Sequence, residues 1–249
     1  MAARPLLSFA ALILLAGGLV LQFLVILSGG VSGTPENQIY FLEASTDGVS
    51  PGTRNPSRWT FWAVCGKDSN GHNANCGAVV PALPFDPPRN FGTETGVADA
   101  FIGTHHYFYL SRFMFAFYLI AIFFAAIALF TGLLALCSRL GGYLSGFNTF
   151  IALFFQTVAA ALMTAWTVQG RDAFRSNNQS ASLGVKAYAF TWSAVAAFLT
   201  SMVLFCLSGS NRNESSYTKR STFGRKSSTR SRGSFIDAES QNRVKDDYS

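Results

Sequence analysis

The sequence predicts an all-α membrane protein, a bundle of four transmembrane helices carrying a small disulfide-clipped β-sheet on its extracellular side. Three observations carry that reading. Of 249 residues, 49% are apolar and only 13% charged, against about 25% charged in an average soluble domain. The apolar residues gather in four uncharged runs, near 6–28, 113–136, 147–169 and 187–207, each as long as the roughly 20 residues a helix needs to cross a bilayer. Two of the four cysteines, Cys65 and Cys76, fall in the long segment between the first two runs.

Taken in order, residues 1–28 form a short N-terminus and the first span. Its apolar run exceeds the 7–15 residues typical of a secretory signal, so the segment is expected to be retained; cleavage after Ser28-Gly29-Gly30 is the alternative. Residues 29–107 make a long loop domain, 108–136 the second span, 137–146 a short loop, 147–169 the third span, 170–186 a second loop, 187–207 the fourth span and 208–249 a tail. Orientation follows Lys and Arg near the span ends. Arg4, Arg139 and the cluster from Arg212 onward outweigh Arg171, Arg175 and Lys186. Both termini are therefore expected in the cytoplasm, with 29–107 outside.

Cysteine placement agrees with that orientation, because an oxidising compartment lets a disulfide persist. A Cys65–Cys76 bridge, against two free thiols, closes a loop of ten intervening residues and would stabilise the outer segment by roughly 3 kcal/mol. Cys137 and Cys206 stand at the cytoplasmic ends of the second and fourth spans, as small packing residues or as sites of reversible palmitoylation. Asn178-Gln179-Ser180 is a glycosylation acceptor in the second outer loop, whereas Asn213-Glu214-Ser215 would face the cytoplasm.

No span holds an Asp, Glu, Lys, Arg or His in its interior, which argues against a pump or ion-coupled transporter and leaves a passive channel open. Small residues recur every four positions at Ala152, Gln156, Ala160 and Thr164, and again at Ala189, Ser193, Ala197 and Ser201. Either these stripes are helix seams or they reflect alanine-rich composition alone. Gln156 is expected to hydrogen-bond between helices. The 24 phenylalanines, among them Phe108, Phe113, Phe115, Phe117, Phe123 and Phe124, read as lipid-facing or interhelical filling.

In the outer segment, Arg58 to Cys65 is aromatic and β-branched, as a strand requires. Lys67 to Cys76 is crowded with Asn, Gly, Ser and Asp and should turn the chain, with Gly77 to Val80 returning as a second strand. Pro81, Pro84, Pro87 and Pro88 then favour an extended segment over helix.

Trp62-Ala63-Val64-Cys65, followed after ten residues by Cys76, resembles the tryptophan and paired-cysteine signature of claudin-type tetraspan proteins, as does Arg112 at the outer end of the second span. The likeness is closer to the fungal Sur-seven/PalI family of plasma-membrane proteins. It lies in Arg58-Trp59-Thr60, Cys65-Gly66, Pro84-Phe85, Asn90-Phe91-Gly92 and Tyr109-Leu110-Ser111-Arg112-Phe113, and it covers roughly 5–210. The resemblance implies a claudin-like fold and a scaffold-like role in eisosome-associated plasma-membrane domains, also called the arginine-permease compartment, with links to cell-wall organisation and endocytosis. PalI-type members, accessory to ambient-pH sensing, often carry a much longer cytoplasmic tail than the present one. The Gly-Leu-Trp pattern of claudins is absent, with Phe61 before Trp62, which sets aside a junctional pore.

Arg112 either snorkels to headgroups or binds the outer sheet and fixes it to the bundle. His72, His105 and His106 lack a third metal partner, and Asp68, Asp86, Glu94 and Asp99 show no catalytic spacing. No phosphate loop or nucleophile elbow occurs, so no enzyme, metal or cofactor is expected. The tail cannot fold on its own composition. Lys219, Arg220, Arg225, Lys226, Arg230 and Arg232 are expected on the anionic inner leaflet, with phosphorylation at Ser227, Ser228, Ser231 or Ser234 weakening that hold, or else to serve orientation alone. The net charge of +6 thus points to lipid rather than nucleic acid. The function expected is a non-enzymatic organiser of a membrane domain, partnered by lipids, by other proteins of that domain and by further copies of itself. An accessory subunit of a pH-sensing complex is the alternative.

Overall fold

The computed structural model describes residues 3–49, 54–136 and 138–210. Cys137 and the tail positions named above lie outside the described residues. In chain order the elements are α1 (Ala3–Ile26), β1 (Leu42–Ala44), β2 (Ser57–Trp59), β3 (Val64–Lys67), β4 (Asn73–Ala74), the one-turn α2 (Pro87–Phe91), α3 (His106–Ala135), α4 (Arg139–Ser176), β5 (Ala181–Leu183) and α5 (Val185–Ser210). Of these, α1, α3, α4 and α5 are long and apolar enough to cross a membrane, and the protein is a multi-pass membrane protein. Packing of α1 on α3, α3 on α4, α4 on α5 and α5 on α1 closes a ring.

The bundle buries mostly small residues along α3 and turns most of the large ones outward. Along α3 the buried line is Ser111, Met114, Tyr118, Ala121, Ala125, Ala128, Gly132 and Ala135. Phe113, Phe123 and Phe130, up to 71% exposed, point away from it. Lipid tails are as apolar as leucine, so nothing drives bulky side chains inward; close backbone approach and interhelical hydrogen bonds hold the helices instead. Gly132 shows the approach: a Cβ there would meet Leu12 Cδ2 at 2.6 Å, Phe205 Cζ at 3.0 Å and Ser145 Oγ at 3.2 Å. The hydrogen bonds link Ser201 Oγ to the Ala11 carbonyl at 2.9 Å, Ser145 Oγ to the Ala128 carbonyl at 2.8 Å, and the Tyr118 and Thr191 hydroxyls at 2.7 Å. Gln156 joins three helices, accepting from Gln22 Nε2 and donating from Nε2 to the Thr191 carbonyl at 3.4 Å.

Two details differ from the sequence reading of the spans. Residues 139–146 are the first turns of α4, because the Ser138 hydroxyl accepts from the Gly141 amide at 3.0 Å and caps the helix three residues after α3 ends. In α4 the stripe Ala152, Gln156 and Ala160 is buried, but in α5 Ala189 and Ser193 are exposed. The buried line of α5 is Ala187, Thr191, Ala194, Phe198, Ser201 and Phe205. A strict spacing of four drifts about 40° per step on a helix of 3.6 residues per turn, so a long seam must mix steps of three and four.

At the bundle end where α1 finishes and α3 starts sits a five-stranded antiparallel sheet in the order β4-β3-β2-β1-β5. The expected single strand 58–65 is two strands. The Thr60 hydroxyl accepts from the Ala63 amide at 3.1 Å and donates to the Ala63 carbonyl at 2.7 Å, turning the chain between them. Residues 77–80 form no strand, although the Gly77 amide reaches the Val64 carbonyl at 2.9 Å and the Val80 amide the Trp62 carbonyl at 2.8 Å. The proline-rich segment ends in α2 rather than staying extended, since Pro87 stands at a helix's first position, where its missing N–H costs nothing. β1, β4 and β5 have no counterpart in the sequence reading, β4 lying in the stretch expected only to turn; β5 comes from the loop before α5 and extends the sheet begun by the first loop.

The inside-out packing predicts a clear contrast. Gly132→Val should lower the thermal midpoint of the purified protein in detergent by an amount corresponding to about 1–3 kcal/mol, the usual cost of overpacking. Phe130→Ala, facing outward, should leave that midpoint nearly unchanged.

Candidate functional site

The junction where the sheet seats on the helices gathers the residues that carried the resemblance. Its covalent clip is the Cys65–Cys76 disulfide, which ties β3 to the chain just beyond β4. At the centre of the sheet Arg58 is 2% exposed. Its Nε donates to Glu43 Oε2 at 2.6 Å, and its Nη1 donates to the Gly71 carbonyl at 2.8 Å and to Asn73 Oδ1 at 3.2 Å. The register makes Glu43 the direct cross-strand neighbour of Arg58, and Lys67 Nζ approaches the second Glu43 oxygen at 3.6 Å. Above the guanidinium, at 4.2 Å, lies the Tyr40 ring. Burial and then the Glu43 charge raise the Tyr40 phenol above its ordinary 10.0, with Arg58 opposing, so it stays neutral. One buried cation thus ties together β1, β2 and the turn before β4.

The two tryptophans hold the sheet to the bundle by different atoms. Trp59 is 1% exposed and packs among Phe85 at 5.1 Å, Phe174 of α4 at 5.5 Å and Phe91 at 5.8 Å between ring centroids. Its Nε1 donates at 2.9 Å to Asn90 Oδ1, while Asn90 Nδ2 donates to the Pro84 carbonyl at 3.2 Å. Trp62 sends its Nε1 to the Ile26 carbonyl at 2.5 Å, meeting one of the carbonyls that the end of α1 leaves unpaired, and packs on Phe115 of α3 at 5.7 Å. Between them Phe61 fits against Phe41 at 4.6 Å and against Phe115 and Tyr118 of α3 at 5.4 Å each. Gly29 lets α1 run into this turn. Its φ is +80°, and a Cβ there would collide with the Thr60 hydroxyl.

The second loop is fastened to the same body. Arg175 donates through Nε and Nη2 to the Ala181 carbonyl at 3.1 and 2.9 Å, and Gln179 Nε2 donates to the Gly96 carbonyl at 3.1 Å. The Phe85 amide donates to Ser111 Oγ at 2.9 Å, placing the proline segment on α3.

Arg112 remains at the edge. It is exposed, its Nε stands 3.5 Å from the Ala82 carbonyl, and its guanidinium lies 5.1 Å over the Phe108 ring. Arg58, not Arg112, is the arginine that organises the sheet. Asn178 is exposed with φ 59° in the turn before β5. Cys206 is a free, exposed thiol near the other end of α5. His106 Nε2 lies 3.0 Å from Gln169 Oε1, and His72 Nε2 lies 3.1 Å from Gln38 Nε2; among the described residues no three His, Cys, Asp or Glu converge on a metal site. Glu43 escaped the sequence reading, and its one signal is being a lone acid between Leu42 and Ala44.

Comparison with known proteins places the same residues in a family. A family model described as the SUR7/PalI family matches residues 7–204. Protein SUR7 of Candida albicans is 36% identical over 198 residues, covering 79% of this chain and 72% of the relative. Protein SUR7 of Saccharomyces cerevisiae is 31% identical over 199 residues, covering 80% and 66%. An uncharacterized plasma membrane protein of Saccharomyces cerevisiae is 33% identical over 190 residues, covering 75% and 63%. The chain spans between 63% and 72% of the length of these relatives.

Removing one partner of a buried pair leaves the other charge uncompensated. Arg58→Met should therefore destabilise the sheet by about 3–5 kcal/mol, read as a lower thermal midpoint and a smaller fraction of chains with the Cys65–Cys76 bridge. Trp62→Phe keeps the ring but removes the bond to the Ile26 carbonyl. It should cost about 1 kcal/mol by the same measurement.

Proposed function

The chain belongs to the SUR7/PalI family, and from that premise we propose that it is a non-enzymatic organiser of plasma-membrane domains of the eisosome or arginine-permease kind, contributing to cell-wall organisation and endocytosis. The observation that carries this reading is the sheet assembled from both loops. β1 to β4 come from the first loop and β5 from the second, and the assembly rests on α1, α3 and α4 through Trp62, Phe61 and Trp59. A cap made this way is a rigid display surface fixed to a bundle that lies within lipid, which suits a scaffold.

In this proposal the cap faces the cell exterior and both termini the cytoplasm. The persistent Cys65–Cys76 disulfide supports that sense. The likeness to a plasma membrane protein of Saccharomyces cerevisiae supports the plasma membrane as location. The basic, serine-rich stretch 208–234 would then lie against the anionic inner leaflet, and the exposed Cys206 thiol would be open to acylation on the same side. Partners would be membrane lipids, other proteins of the domain and further copies of this chain.

Imaging of a tagged full-length chain tests the reading. Stable patches coincident with furrow markers, immobile over minutes, are expected. Diffuse signal that clusters only on alkalinisation would overturn the organiser in favour of a pH-sensing accessory, and conductance in reconstituted vesicles would overturn it in favour of a channel.

A further inference from the structure

On the flank of the cap, where the proline segment meets the first two turns of α3, lies a cleft of about 360 Å³ lined by Arg54, Arg89, Arg112, Asn90, Phe108 and Leu83, among others. Three arginines from three separate segments line it, and among the described residues no carboxylate does. None of the three forms an ion pair among the described residues. Arg89 and Arg112 share one ring, with their guanidinium carbons 5.5 and 5.1 Å from the centroid of Phe108. Arg54 is held by the bond from its Nε to the Asn75 carbonyl. Asn90 is committed to Trp59, the Asp86 amide and Pro84, so the other polar side chains lining the cleft are the three arginines. Snorkelling would account for any one of these arginines taken singly. It does not account for like charges gathered around a single concavity, where their summed field attracts an anion.

The position of the cleft indicates the chemistry of that anion. Arg112 is the last charged residue before the uncharged stretch 113–136, so it stands where the hydrocarbon core gives way to headgroups. Beside the cleft an aromatic ladder descends along α3, exposed at Tyr109 and Phe113 and half-buried at Phe117. Tyr109 and Phe113 are 6.5 Å apart, and Phe113 and Phe117 are stacked at 6.2 Å. The planar forks of arginine fit phosphate oxygens two at a time. We propose that this cleft binds a phosphate group, presented by a lipid headgroup of the cap-side leaflet or by a soluble phosphate ester. The ladder favours the lipid, whose acyl chain would lie along it. The proposal is independent of the organiser reading and of which leaflet the cap faces.

The test uses the purified full chain in maltoside detergent, incubated with equimolar dioleoyl phosphatidic acid and dioleoylglycerol, which differ by the phosphate alone. Retained lipid is counted by mass spectrometry after gel filtration, and binding of radiolabelled inorganic phosphate is measured in parallel by equilibrium dialysis. Phosphatidic acid should be retained at least fivefold over dioleoylglycerol. The ratio should fall at least threefold in Arg89→Gln combined with Arg112→Gln, and should be unchanged in Arg171→Gln, whose charge is paired with Asp172 outside the cleft. Saturable binding of inorganic phosphate that the double variant abolishes, without lipid preference, would support the cleft and assign it to a soluble ester. An unchanged lipid ratio in the double variant together with no phosphate binding would overturn the proposal, as would an equal fall in Arg171→Gln. Arg89→Gln alone, removing a side chain whose contact is with a ring, keeps the test open should the double variant fail to form the Cys65–Cys76 bridge; its lipid ratio or its phosphate binding should fall at least twofold, and no change in either would overturn the proposal.

Discussion

The structure depends on the buried contact between Arg58 and Glu43. A charge pair with side-chain exposures of 3% and 17% is tolerable because the guanidinium is bonded along two edges and covered on one face: Nε by the carboxylate, Nη1 by the Gly71 carbonyl and Asn73, and the face by Tyr40. Those partners come from stretches of chain that local sequence does not bring together. Once they are fixed, β2 is held in register with β1, and Trp59 and Phe61 are presented to the helices from adjoining positions. A sheet whose strands are two to four residues long has too few ladder hydrogen bonds to specify itself. The ion pair and the disulfide supply the specification.

The aromatic seat then transmits that order to the bundle. Phe85 touches Trp59, Trp166 of α4 and Phe101, with ring centroids at 5.1, 4.7 and 5.5 Å, so a residue of the irregular proline segment becomes the hub between sheet and helices. Burial of large aromatics drives assembly at this end because water is there to be excluded. Deeper in the bundle that force vanishes, and close packing of alanine, glycine and serine around a few large side chains such as Phe198 and Phe205, with the Gln22–Gln156–Thr191 contact, takes over. The protein therefore changes its packing rule along its own axis. Tyr118 marks the change, with its ring against Phe61 and its hydroxyl on Thr191.

That change of rule also separates what the sequence made legible from what it hid. The four spans and the cystine clip stood out because composition alone marks them: uncharged length in one case, two thiols within a polar segment in the other. The seam of α5 did not, since alanine and serine lie on several of its faces and only the helix's neighbours decide which one is buried. β1 and β5 were invisible for a different reason. Three residues give no periodicity to read, and their pairing joins positions about 140 apart, Leu42 with Leu183. The arginines show the same limit. Arg112 drew notice because it borders a span, whereas Arg54 and Arg89 look like ordinary loop charges until the fold sets them around one cleft.

These arginines also show how one residue type takes opposite parts in a single cap. Arg58 is surrounded by acceptors and withdrawn from water, so its charge is spent on structure and is not available to a ligand. Arg54, Arg89 and Arg112 meet carbonyls or a ring but no carboxylate, and the cost of holding them together is borne by the partly open setting, where solvent screens their repulsion. Screening of that kind weakens when a lipid surface closes over the site, because fewer waters and counter-ions remain to share the charge. The same three groups would gain attraction for an anion where a bilayer covered them. The junction between cap and membrane is where charge left unpaired by the fold would be expressed as binding.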